Sequence, residues 1–215
     1  MLNVVHEVIQ NATFSDRPRI KNAAMTVLPD GRVRVLLSFL QFNECVLWTQ
    51  NEKPRLMQHP YMHLRDIQLT LSPDGEKLMV FQNLRTDGAM IEEEHFGGRG
   101  YIPGKSVSGL LASLYDLNTG KELWNIVARI TRDSSGKPPA PVISTNGRLA
   151  LIRLPADTEA ASIALVSMQN GRTLQRLPIP DRVDSETNAM GFSDQGVWTR
   201  TDNLTTLYSF SPGQP

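Results

Sequence analysis

One kind of turn recurs along this chain. Leu28-Pro29-Asp30-Gly31, Leu71-Ser72-Pro73-Asp74-Gly75, Ile143-Ser144-Thr145-Asn146-Gly147 and Phe192-Ser193-Asp194-Gln195-Gly196 are all tight-turn segments closed by glycine. Asp-Gly and Asn-Gly favour hairpins because both central residues can take positive φ. A short apolar run precedes each turn: Ala24 to Val27, Ile67 to Thr70, Ala140 to Ile143 and Ala189 to Phe192. A β-rich run follows each: Arg32 to Leu37, Lys77 to Phe81, Arg148 to Ile152 and Val197 to Thr201. A chain with this punctuation is committed to repeated hairpins.

The second half of the unit also recurs. Leu114-Tyr115-Asp116-Leu117-Asn118-Thr119-Gly120-Lys121-Glu122-Leu123-Trp124 reads as strand, turn and strand, and Ile163 to Leu174 repeats it around Gly171. Cys45 to Leu56 is a weaker copy that lacks the glycine. Four strands per unit make a blade. The first-turn glycines lie 44, 72 and 49 residues apart, against about 40–45 for a propeller blade. The long interval holds an insertion over 82–108. The expected fold is therefore all-β, with blades of four antiparallel strands. About four blades fit: roughly 23–60, 63–128, 140–180 and 186–215, in one domain.

These residues resemble the WD-repeat propeller family. The likeness rests on Leu71-Ser72-Pro73-Asp74-Gly75 with Leu78-Met79-Val80, and on Leu114 to Leu123. It fits the neighbouring quinoprotein and TolB-like propellers as well. The resemblance implies that the first segment ends strand a and begins strand b, and that the second spans strands c and d. No Gly-His pair opens a blade here and no Trp-Asp dipeptide closes strand c, where Tyr115-Asp116 stands nearest. The His–Asp network of regular WD repeats therefore lacks its residues.

The fourth unit runs out of chain after Leu204 to Phe210, which reads as its strand c. Residues 2–9 are a strand left over at the other end. Propellers close by joining a terminal strand to the last blade, which removes open edges. Either residues 2–9 fill the gap, or a second chain or second copy completes the ring.

Composition narrows the function classes. The 215 residues carry 22 acidic and 22 basic side chains, so the formal net charge is zero. That gives no electrostatic footprint for nucleic acid. No apolar run reaches the length of a membrane span. The single cysteine, Cys45, suits a reducing compartment. The N-terminus has no basic region followed by an apolar one. The expected location is cytoplasmic.

The insertion carries the non-repeat chemistry. It holds Glu92, Glu93, Glu94 and His95, then a glycine-rich stretch with Arg99 and Tyr101. Loops this long in compact domains are functional or disordered, and Arg and Tyr are common interface anchors. These six residues are the candidate partner-binding set. Gly97-Gly98-Arg99-Gly100 has neither Walker spacing nor the strand–turn–helix order of a phosphate loop. The acidic run with His95 reads as solvated rather than as a metal site, since ligands need fixed geometry. His6, His59 and His63 read as structural or surface residues. Cys45 reads as a buried inert thiol, and no Gly-x-Ser-x-Gly elbow occurs. Trp48, Trp124 and Trp198 fall in strands c, d and b and read as packing between blades. No catalytic, cofactor or metal residue is assigned.

The expected function is a non-catalytic protein–protein interaction scaffold or complex subunit, with protein partners and a homo- or hetero-oligomer as the way to complete the ring. A ligand-binding or enzymatic propeller, of quinoprotein or lactonase type, is the first alternative. It would use a polar cluster at the central channel, with Arg65, Asp66 and Asp184 as candidates. A sensor or regulatory part of a multi-subunit machine is the second.

Overall fold

The computed structural model describes residues 20–39, 44–58, 67–82, 107–130, 139–154, 162–179, 187–201 and 204–209. Among them lie four antiparallel sheets, each a simple meander. The first holds β1 (Ile20–Val27), β2 (Val33–Phe39), β3 (Glu44–Thr49) and β4 (Arg55–Gln58). The second holds β5 (Ile67–Leu71), β6 (Lys77–Gln82), β7 (Val107–Asp116) and β8 (Glu122–Ile130). The third holds β9 (Val142–Ile143), β10 (Leu149–Leu154), β11 (Ser162–Ser167) and β12 (Thr173–Pro178). The fourth holds β13 (Thr187–Ser193), β14 (Gly196–Thr201) and β15 (Leu204–Ser209). The first strands of successive sheets are neighbours: β1 beside β5, β5 beside β9, and β9 beside β13. Four meanders ranked side by side on their first strands form an array of propeller blades.

Alternation builds the blade faces. Along β5, Ile67, Leu69 and Leu71 are buried and face the first blade, where they meet Ala24, Leu36, Cys45 and Leu47. In β6, Leu78 and Val80 join that junction, whereas Met79 and Phe81 point the other way. There they pack with Trp124 against Ala150, Ile152, Ala164 and Val166 of the third blade. The third blade turns Leu151, Ile163 and Leu165 to Met190 and Val197 of the fourth. The side-chain period of two thus makes each blade two-faced. The middle strands read as near-continuous apolar runs because both of their faces are covered.

The turns differ in detail from the sequence expectation. In the first three, positive φ falls on the glycine alone: +84° at Gly31, +69° at Gly75 and +69° at Gly147. Among the described residues, Asn51 is the one non-glycine with positive φ, so Asp30, Asp74 and Asn146 do not share it. The glycine N–H instead donates to the carbonyl three residues back, on Leu28, Ser72 and Ser144. This is a right-handed turn followed by one left-handed residue, a form that also joins hairpins. The fourth turn is tighter. Ser193 pairs with Gly196, leaving Asp194 and Gln195 at the tip.

Three expectations fall on residues outside those described. They are the strand at 2–9, the body of the insertion, since β6 ends at Gln82 and β7 begins at Val107, and the end of the last blade beyond Ser209.

Candidate interaction surface

The registers sort the connections onto two ends of the sheets. Ile20 pairs with Phe39, Gln58 with Glu44, Ile67 with Gln82, Val107 with Ile130, Ser162 with Leu154 and Pro178, and Thr201 with Thr187 and Leu204. All of these residues lie at one end of their sheets. Every short a–b and c–d turn among the described residues joins strands at the opposite end.

The short-turn end is held by its own hydrogen bonds. In the first blade the Leu28 N–H reaches the Arg32 carbonyl at 2.8 Å. The second and third blades carry one more residue in the loop, and serine accommodates it. Ser72 Oγ accepts the Lys77 amide at 2.9 Å, and Ser144 Oγ accepts the Leu149 amide at 3.0 Å. Each hydroxyl then donates to the side-chain oxygen two residues on, in Asp74 or Asn146. Those oxygens accept the Glu76 and Arg148 amides, each at 3.0 Å. Asp116 works in the same way on the c–d turn, accepting from the Asn118 and Thr119 amides at 3.0 and 2.7 Å.

These bonds lower the turn carboxylates below the ordinary value. Asp30 is held down by the Arg32 amide and guanidinium, and Asp116 by the Thr119 amide and hydroxyl. For Asp74, partial burial works upward, but the Ser72 hydroxyl, the Glu76 amide and the Lys77 ammonium outweigh it. The carboxylates are occupied with their own backbone, which leaves this end a structural cap.

The short-turn end also rivets the blades together. Arg34 Nη1 donates to the Gly75 carbonyl at 2.8 Å. Arg55, on the outer strand of the first blade, donates to the Leu117 carbonyl. Trp124, on the outer strand of the second, donates from Nε1 to the Met168 carbonyl at 3.0 Å. Leu117 and Met168 hold the same place in successive c–d turns: their N–H groups bond the Glu76 and Arg148 carbonyls. Sequence reading singled out Trp124 for packing but missed Arg34 and Arg55. Nothing local marks them, because their acceptors lie in another blade.

The other end joins β6 to β7 through 83–106, the span that holds Glu92, Glu93, Glu94, His95, Arg99 and Tyr101. It also joins sheet to sheet, through spans that hold Arg65, Asp66 and Asp184. All nine residues lie outside those described. Of the remaining candidates, Cys45 is buried, and its thiol donates to the Met57 carbonyl at 3.6 Å. Trp48 packs within its own blade with Val35, Leu37, Phe39 and Val46. Among the described residues no group of three or more His, Cys, Asp or Glu is placed to hold a metal, and no helix is long and apolar enough to cross a membrane.

No protein-family model matches the chain, and no curated protein matches it. Solved structures do. The computationally designed Ika4 protein is 12% identical, with a TM-score of 0.51 over 93% of this chain and 96% of that one. The β-propeller domain of the Trilobed protease from Pyrococcus furiosus is 12% identical, with a TM-score of 0.45 over 89% of this chain and 57% of that one. The β-propeller domain of Cps50 (Swd1) from Myceliophteria thermophila is 12% identical, with a TM-score of 0.45 over 85% and 67%. At such identities the likeness concerns fold alone. By the order and register of its own sheets, the chain is a β-propeller-type protein of four blades, the last with three described strands.

Proposed function

We propose that this chain is a non-catalytic protein–protein interaction module, a subunit of a larger assembly, and that it engages its partner at the end opposite the short turns. One observation carries the reading: the two ends of the blades are built differently. The short-turn end spends its polar groups on itself. The other end receives the 83–106 connection, with its acidic run, Arg99 and Tyr101. Connections on a rigid scaffold are where binding residues concentrate. A single cysteine in the sequence, the buried Cys45, supports a reducing, cytoplasmic setting.

The test is capture of native complexes with the full chain and with a variant lacking 84–106. A partner held at stoichiometric level by the full chain and lost from the variant, with melting unchanged, supports the reading. Equal capture by both would remove the insertion from the interface. Turnover of a small ligand by the isolated chain would replace the module with an enzyme.

A further inference from the structure

The third blade departs from the charge pattern of the short-turn end. In the first blade Asp30 pairs with the turn cation Arg32 at 2.7 Å, and Glu52 meets the same guanidinium. In the second, Asp74 stands 3.8 Å from Lys77, and Glu76 and Asp116 lie in the same pair of turns. The fourth has Asp194 at its tip. The turns of the third blade, Ser144 to Leu149 and Ser167 to Thr173, hold no carboxylate. They hold Arg148 and Arg172, both exposed. Among the described residues neither guanidinium makes a hydrogen bond or an ion pair.

The backbone brings these two arginines to one place. The Arg148 carbonyl accepts the Met168 N–H and the Arg172 carbonyl accepts the Ser167 N–H, each at 2.9 Å. They therefore flank one dipeptide at the end of β11. Two asparagines stand beside them. Asn146 Oδ1 accepts the Arg148 amide at 3.0 Å and the Ser144 hydroxyl at 2.8 Å. Asn170 Oδ1 accepts the Arg172 amide at 3.1 Å. With the oxygen committed to the turn, each side chain keeps its NH2 group as a donor. Asp74 makes the same bonds in the second blade, but it brings a negative charge. One turn geometry thus yields an acidic end in the second blade and a cationic, donor-rich end in the third.

We propose that the short-turn end of the third blade binds an acidic peptide segment, with Arg148 and Arg172 each taking one carboxylate. The planar guanidinium matches a carboxylate through two parallel hydrogen bonds. Arg148 leads into β10 and Arg172 into β12, the two strands that flank β11. Their backbones are therefore two strand spacings apart, about 10 Å. Alternate side chains of an extended peptide lie about 7 Å apart on one side. Two of them fit the pair, whereas one small oxyanion would meet a single arginine. This surface lies at the opposite end of the blades from the 83–106 connection, so its test stands or fails independently of the partner site proposed there.

Fluorescence anisotropy of a labelled hexaglutamate peptide, titrated with the full chain at low ionic strength, tests it. Binding should exceed that of labelled hexalysine and weaken as salt is added. Arg148→Gln and Arg172→Gln should each weaken it about three- to fivefold, and the double variant about tenfold or more, with melting unchanged. Asn146→Asp keeps the turn bonds but sets a carboxylate beside Arg148, so it should weaken binding as well. Lys53→Gln, an exposed cation of the first blade, should leave it unchanged. No binding of hexaglutamate, or equal binding by the double arginine variant, overturns the proposal. So does a loss in Lys53→Gln as large as in Arg148→Gln, which would mean general charge attraction only. Displacement of the peptide by inorganic phosphate at equal concentration of charge would overturn the peptide in favour of a small oxyanion. Self-association of the unmodified chain that the double variant abolishes would overturn it in favour of a second copy.

Discussion

Trp124 shows how one side chain couples neighbouring blades. Its ring lies on Gly171 of the next blade while its N–H meets the Met168 carbonyl. Gly171 must be glycine for two reasons: its φ is +71°, and a Cβ there would sit 2.8 Å from the indole. Gly120 has the same φ, +70°, with open space around it. Gly120→Ala should therefore cost about 1 kcal/mol, the backbone penalty alone. Gly171→Ala should cost about 3 kcal/mol, because the overlap adds to it. Urea unfolding of the two variants compares them directly, and equal losses would mean that the ring yields without cost. Trp124→Phe keeps most of the apolar contact but leaves the Met168 carbonyl unbonded, a loss of about 1–3 kcal/mol. In Ser144→Ala the Leu149 N–H loses its acceptor, again about 1–3 kcal/mol. Thermal melting reads both, at roughly 2–4 °C per kcal/mol for a chain of this size.

At the scale of elements, the turns and the strands followed different rules. The strands were legible because apolar alternation is local: Ile67, Leu69 and Leu71 announce a one-faced strand without reference to any other blade. The turn positions were equally legible from their glycines. Their conformation was not, because a one-residue change in loop length reassigns the hydrogen bonds. Leu28 suffices in the short loop, whereas the longer ones recruit Ser72 and Ser144. The turn carboxylates make these elements acid-sensitive. Asp30, Asp74 and Asp116 have folded-state values below the ordinary carboxylate value. Their contribution is complete above the unfolded value and is lost as pH falls through the folded one. The melting temperature should be flat from neutral pH down to about 5 and decline below about 4. Asp74→Asn copies the third blade, where Asn146 accepts the same bonds. It should change stability near neutral pH by less than about 1 kcal/mol and make the acid decline shallower. An undiminished decline would assign the acid sensitivity to other groups.

On the scale of the whole molecule, repetition in sequence became repetition in space. The glycine spacing implied blades, and among the described residues three sheets of four strands and one of three form in meander order. The weak copy at Cys45 to Leu56 is a genuine c–d unit, with Asn51 at φ 66° as its left-handed residue. Deleting 84–106 should leave unfolding unchanged within about 1 kcal/mol, since loop length enters closure entropy only logarithmically. A large loss in chemical denaturation would make the insertion part of the core instead. The candidate site was legible only as a list of residues, because Glu92 to Tyr101 carry no periodicity that fixes their neighbours. Sequence alone determined what is local: strand runs, turn positions, and the two-faced pattern that requires blades to stack. Only the tertiary structure decided which faces meet. It set Arg34, Arg55 and Trp124 on carbonyls of the next blade, and left Met25 and Val27 open where Leu69 and Leu71 are covered. The reason is physical: alternation states that a face must be buried, but the burying surface belongs to residues far away in the chain.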